Sequence, residues 1–293
     1  MKRITVILVF LLTFLTARGA EQISTDYHAL YGIPEAHRIR DLERSSFPGF
    51  RLIGAVAANL GDYPYFAGLL IKLTSGSTSV CGSSLLSHTR LVTAAHCWRT
   101  EQHQAQLFTV VLASTRLYSG GTRIPTSSVE VHASYVPSSL SYDIALITIS
   151  RVEFSSYIQP IALASGDQDY VGTWAKAAGF GKTSDSQQYI TRSSYLGQVT
   201  LQVISNAVCL QTYAPRFVLP TTLCTSGADG PSTCAGDSGG PLVLAAKGND
   251  TLVWAIQFQI GITSFGSVRG CELGLPSGFS RISAFRSWIQ NRL

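Results

Sequence analysis

From residue 52 onward the chain is a succession of short apolar runs broken by Gly, Ser and Pro. VCGSSLL, RLVTAAHC, LFTVVLAS, SVEVHASYV, DIALITIS, WAKAAGF, GQVTLQVI and PLVLAA are among them. Runs of about five to eight residues bounded by turn residues read as strands that return antiparallel rather than as helices. Charged residues make up only 13% of the 293, and 26 are Gly, which argues against both disorder and a helical bundle. The fold class expected is all-β, with enough chain for one large core or two lobes. Only the tail reads as helix. Ile282, Phe285, Trp288, Ile289 and Leu293 recur at three- and four-residue spacing and form one apolar face.

The first 51 residues have another texture. MKR, then ITVILVFLLTFL, then TARGA are the basic, apolar and small-residue parts of a secretory leader, assigned to residues 1–19. Its apolar run of about a dozen residues falls short of the ~20 that a membrane span needs. The protein is therefore expected to be secreted and extracellular, with no membrane partner. Residues 20–51 are polar and cysteine-free, contain Pro34, Pro48 and the charged cluster RIRDLER, and show no strong strand or helix pattern. His28 and His37 lie in this stretch; His88, His103 and His132 read as surface or loop residues. Residues 52–293 hold 15 Lys and Arg against 12 Asp and Glu, with no basic run, so nucleic acid is not an expected partner. The six cysteines are even in number and lack CxxC spacing, which in a secreted chain indicates disulfides rather than a metal site. Spacing alone leaves about 15 connectivities open.

Three stretches carry chemistry. TAAHC (93–97) puts His96 at the end of an apolar strand, SYDIALI (141–147) puts Asp143 at the mouth of another, and GDSGGP (236–241) holds Ser238. A serine hydroxyl is a poor nucleophile without a base. His96, which titrates near neutral pH, can take its proton, and Asp143 can orient the imidazole and stabilise its charged form. Gly236 and Gly239 permit a tight turn that brings the N–H groups of Gly236 and Ser238 to one point, an oxyanion hole. The order His, Asp, Ser is one of the known chain orders of such a triad.

With LIGAVAANLGDYPYFAGL, CGSSLL, YIQPIAL, AAGFG, STCAGDSGGPLV, SFGS and the terminal SWIQ, these stretches make residues 52–293 resemble the chymotrypsin-type serine peptidases. The resemblance implies two packed six-stranded antiparallel Greek-key β-barrels, about 52–162 and 163–293, followed by a C-terminal helix. It implies His96 as base, Asp143 as orienter, Ser238 as nucleophile and Ser264 as the residue that supports the aspartate. It also implies an activation propeptide, residues 20–51, cut after Arg51 so that the ammonium of Leu52 inserts against Asp237. Leu52 and Ala55 stand where the family usually has Ile and Gly. The implied disulfides are Cys81–Cys97, Cys209–Cys224 and Cys234–Cys271, none reaching residues 20–51, so the released propeptide would not stay covalently attached.

The same resemblance places the specificity pocket at Ser232, Gly266 and Ser277. Without an acid at its base, such a pocket suits aromatic or large aliphatic side chains; Ser277 in place of Gly would make it shallower. GCELGLPSGF resembles arthropod digestive enzymes, including collagenolytic ones. The expected function is a secreted endopeptidase made as a zymogen, acting after aromatic or large aliphatic residues through an acyl-enzyme. An elastase-like or broad-specificity peptidase is the alternative, and a catalytically silent binding or regulatory homologue the alternative of another class. Expected partners are protein or peptide substrates, an activating trypsin-like protease and protein inhibitors, with the chain a monomer. No cofactor or metal is expected, since only Glu101 and Glu130 are acidic between His96 and Asp143. Asn249, in NDT, is a glycosylation sequon.

Overall fold

The computed structural model describes residues 20–44, 56–182, 185, 195–228, 232–245 and 257–293. The leader, Arg51, Leu52 and the Asn249 sequon lie outside the described residues. Segment 20–44 departs from the sequence reading. A π-helical turn, His28–Gly32, runs straight into helix α1, Ile33–Arg44. Pro34 is the second residue of α1 and follows directly on the π-helical turn. Ala36, Ile39 and Leu42 recur every third residue and are buried beneath the helix. Three residues are too short a stripe to stand out in sequence, and the helix needs the surface it lies on.

Strand β1 is Val56–Ala57; β2 to β4 are Phe66–Leu73, Thr78–Leu85 and Arg90–Thr93. β5 to β8 are Ala105–Leu112, Thr122–Thr126, Val129–Val131 and Ala145–Thr148. β2 to β8 form one antiparallel sheet in the order β6-β5-β2-β3-β4-β8-β7. Its edge strands β6 and β7 are consecutive in the chain, so the sheet curls back on itself without a closing ladder. The result is a seven-strand half-barrel rather than the closed six-strand barrel expected. β2 is its spine, paired on both sides, with Leu69, Ile71 and Leu73 buried at every second position as a strand requires. Helix α1 packs on β3.

The second sheet contains β9 to β15: Ala162–Leu163, Trp174–Gly179, Gly197–Ile204, Thr222–Thr225, Pro241–Ala245, Gln257–Phe265 and Ser277–Arg281. Six of these close a ring, β11-β10-β13-β14-β15-β12 and back to β11. β1 and β9 add to it from outside, β1 on β11 and β9 parallel to β14. A short helix α2, Asn206–Cys209, lies between β11 and β12, and α3, Ile282–Gln290, ends the fold with Ile282, Phe285 and Ile289 buried. Disulfides join Cys81 to Cys97, Cys209 to Cys224 and Cys234 to Cys271.

The two sheets meet where backbone touches backbone. A Cβ on Gly82, in β3, would stand 2.9 Å from the Cα of Gly240. Gly239 has φ +79°, and a Cβ there would lie 2.4 Å from the Gly82 carbonyl oxygen and 2.3 Å from Oγ1 of Thr93. The Gly82 N–H donates to the carbonyl of Ser238 at 2.7 Å, and Thr93 Oγ1 donates to the Gly82 carbonyl at 2.8 Å. A methyl group added at this seam must push the barrels apart. Gly82→Ala is expected to destabilise the protein by about 1–3 kcal/mol. Gly266→Ala, which meets no atom within 4 Å, is expected to stay within about 0.5 kcal/mol of wild type in the same urea titration.

Candidate active site

Strand β4 ends at Thr93, and a 3-10 turn, Ala95–Cys97, follows it. Cys97 is tied back to Cys81 in β3, so the turn holding His96 is fixed at both ends. Asp143 comes just before β8, the neighbour of β4, with Thr93 opposite Ala145. Tyr142, at φ +55°, is left-handed and turns the chain into the buried aspartate. Adjacent strand ends therefore deliver the two side chains together.

Asp143 is fully buried and its acceptors are well used. Its Oδ1 accepts the backbone N–H of His96 at 2.9 Å and its Oδ2 the ring Nδ1–H at 2.7 Å. Ser264, in β14, donates to the same Oδ2 at 2.5 Å, and Ser280, in β15, donates to the Asp143 carbonyl at 2.7 Å. The half-barrel supplies the carboxylate and the closed barrel steadies it. With Nδ1–H given to Asp143, Nε2 of His96 carries the lone pair. This Nε2 is buried and has no hydrogen-bond partner among the described residues.

Ser238 reaches the same cavity from the other side. Gly236, at φ +102°, turns the chain ahead of it, and a Cβ there would lie 2.9 Å from Cα of Gly181. Among the described residues the N–H groups of Gly236 and Ser238 donate to nothing. Asp237 points away from this face, into the loop after β10. Its Oδ1 accepts the Gly181 N–H at 2.8 Å and its Oδ2 the Cys234 N–H at 2.9 Å. Loss of hydration pushes its pKa up to about 6, against the pull of those two N–H groups; Glu35 raises it further and Arg38 lowers it.

A cavity of about 280 Å³ joins His96 and Ser238 to Ser232, Gly266 and Ser277. Ser232 Oγ donates to the Cys271 carbonyl at 2.7 Å, with the Thr233 carbonyl 2.9 Å away, so its polarity is spent inside the wall. Phe265, Leu275 and Pro276 supply apolar lining. Asp185, which the sequence reading did not single out, is an acid on this wall. Its carboxylate accepts the N–H groups of Cys271 at 2.8 Å and Glu272 at 2.9 Å.

The remaining wall comes from segment 20–44: Ser24, Tyr27, Leu30 and Tyr31 line the same cavity. The ring centroid of Tyr27 is 4.7 Å from that of His96. Its hydroxyl donates to the Val80 carbonyl at 2.7 Å, and the Ser238 side chain borders the same phenol. His28, which the sequence reading only assigned to the stretch 20–51, is fully buried with Nδ1 2.8 Å from Ser79 Oγ. Burial, with His96 and His103 beside it, holds its pKa down to about 3 and keeps it neutral. Isolated polar residues in a polar stretch carry no signal of burial, which only the docked helix creates.

A trypsin-family model matches residues 52–289. The chain belongs to the trypsin family. It is 37% identical over 243 residues to collagenase from Hypoderma lineatum, covering 82% of this chain and 86% of that one. To brachyurin from Leptuca pugilator it is 34% identical over 245 residues, covering 82% and 98%. The solved structure of HL collagenase superposes with a TM-score of 0.71 at 34% identity, covering 82% of this chain and 98% of the other. The protein is thus a trypsin-family serine protease of arthropod kind, and the matched region begins at residue 52, after segment 20–44.

The environment of Asp237 makes stability depend on pH. In the folded chain it keeps its proton up to about pH 6, whereas unfolded it would lose it near 4. Asp237 therefore favours folding in acid, and that contribution is lost as pH rises from about 4 to about 6. Over this window wild type is expected to lose stability relative to Asp237→Asn, by at most about 3 kcal/mol, measured by urea unfolding of the uncleaved chain at each pH.

Proposed function

We propose that the chain is the precursor of a secreted, monomeric serine endopeptidase, with residues 1–19 as leader and 20–51 as propeptide. The observation that carries the reading is Asp143 gripping both the backbone N–H and the ring of His96, which leaves Nε2 with a free lone pair in the cavity that Ser238 lines. In this reading Ser238 Oγ attacks the scissile carbonyl while its proton passes to His96 Nε2. The oxyanion is met by the unengaged N–H groups of Gly236 and Ser238, and the imidazolium by Asp143. Collapse of the adduct breaks the C–N bond, with the proton going from Nε2 to the leaving amine. Water then attacks the acyl-enzyme by the same relay and frees Ser238.

Activation is cleavage after Arg51 by a trypsin-like protease. The new Leu52 ammonium then enters the region of Asp237, and its charge draws the carboxyl back into ionised form. Substrates are proteins cut after aromatic or large aliphatic residues, favoured by apolar Phe265, Leu275 and Pro276 and by the internally bonded Ser232. A broad-specificity reading has its own support in the similarity to proteins named collagenase and brachyurin, and in buried Ser277 on the wall. Secretion suits Asn249 as a glycosylation site and digestion as the setting.

Two measurements test this. After cleavage at Arg51, peptide substrates ending in Phe, Tyr or Leu are expected to exceed those ending in Arg in kcat/KM. Predominant cleavage after Arg would overturn the pocket assignment and give Asp185 the selecting role. Asp143→Asn in the cleaved protein is expected to lower kcat by about 10⁴-fold with KM little changed, because the imidazole is then left in the wrong tautomer. Activity within a few fold of wild type would remove Asp143 from the mechanism.

A further inference from the structure

Segment 20–44 crosses both barrels over the cleft. It begins on the closed barrel, where the Glu21 N–H donates to the Thr212 carbonyl at 2.7 Å and the Val268 N–H to the Gln22 carbonyl at 3.2 Å. Ser267 Oγ donates to the Glu21 carboxylate at 2.8 Å. The chain then passes the cavity at Tyr27 and ends on the half-barrel. There the Glu43 carboxylate accepts the N–H groups of Leu117 and Tyr118 at 2.6 and 2.9 Å and the Ser119 hydroxyl at 2.8 Å. Between these ends Ala36 and Ile39 are fully buried, and Tyr118 donates to the Ala36 carbonyl at 2.8 Å. Such a double anchoring is far more than a linker needs.

We propose that segment 20–44 is an inhibitor carried by the chain itself, occupying the cleft in the precursor and binding back to the processed protein as a free peptide. This rests on the reading of residues 20–51 as a removable propeptide. Tyr27 is the plug: its ring stands 4.7 Å, centroid to centroid, from that of His96 in the cavity that Ser238 lines, and its hydroxyl is held by the Val80 carbonyl. A substrate must bring a carbonyl carbon to that place, and while the phenol is there it cannot.

The segment escapes being a substrate because of its backbone. A protease reads an extended chain that adds to its own strands. At Tyr27 the segment is already helical, with φ −56° and ψ −45°, and it stays helical to Arg44. A side chain, not a peptide bond, is presented to Ser238. Gly32 makes the close approach possible, since a Cβ there would fall 1.9 Å from Ser79 Oγ.

One consequence separates this device from simple zymogen cleavage. No cysteine lies in residues 20–51, so after cutting at Arg51 only non-covalent contacts retain the peptide. The cleft then opens by dissociation, and activity depends on dilution.

The test uses the precursor cleaved after Arg51 and freed of its fragment by gel filtration, with synthetic peptide 20–44 added back. Competitive inhibition of a chromogenic peptide substrate is expected. The Tyr27→Ala peptide should be at least tenfold weaker. The Glu43→Ala peptide, altered far from the cleft, should also weaken at least tenfold while remaining competitive. Uncleaved precursor should resist labelling of Ser238 by an organophosphate, and precursor carrying Tyr27→Ala should label faster without being cut. An active processed protein that ignores the peptide overturns this proposal and leaves the protease reading intact. If the processed protein is inactive, the protease reading fails instead. Fluorescence anisotropy of labelled peptide then decides the inhibitor proposal alone, since equal affinity for wild-type and Tyr27→Ala peptides overturns it and a tenfold loss supports it.

Discussion

Contact between Gly82, Gly239 and Gly240 sets the distance between the two barrels, and the site depends on that distance. The Gly82 N–H binds the carbonyl of Ser238 itself, so the backbone of the half-barrel locates the serine that lines one cavity with His96. Any side chain here would widen the gap by part of an ångström. At a site where, as proposed, a hydroxyl and an imidazole share a proton, misplacement of that size would cost orders of magnitude in rate. Glycine at this seam is a matter of space as well as conformation.

Across the same seam the closed barrel supplies Ser264 and Ser280 to the aspartate of the half-barrel. A buried carboxylate needs donors to compensate for lost water, and Asp143 draws them from both lobes. Neither barrel alone would hold this charge. Asp237 shows the opposite case: two N–H donors leave it short of compensation, and its pKa rises. The proposed activation cut would supply the missing positive charge, while the proposed inhibitor segment over the cleft would keep the finished part of the site out of use. The two proposed controls would act on different faces of one loop, a backbone-ordering charge behind Ser238 and an aromatic plug in front of it.

Much of this was legible in the chain. The alternation of short apolar runs and turn residues told of strands because strand burial is local, every second residue along a few positions. TAAHC, SYDIALI and GDSGGP were readable because each combines a reactive side chain with the strand end or tight turn that must present it. The C-terminal helix was visible in Ile282, Phe285 and Ile289. Helix α1 was not: its stripe of Ala36, Ile39 and Leu42 is short and sits among charges. Asp185 was passed over because nothing near it in sequence reveals that its carboxylate caps the Cys271 and Glu272 N–H groups some 86 positions away.

By itself the sequence determined the class of fold and the family to which residues 52–289 belong, and it pointed to the three side chains that the proposed reaction uses. These follow from local periodicity and from residue types tied to tight turns, both of which are written in consecutive residues. Only the tertiary structure decided that the first sheet stays a half-barrel, that Asp143 is shared between lobes, and that Tyr27 lies on His96. Each of those depends on contacts between residues tens to hundreds of positions apart, where packing and desolvation act between surfaces that exist only once the chain has folded.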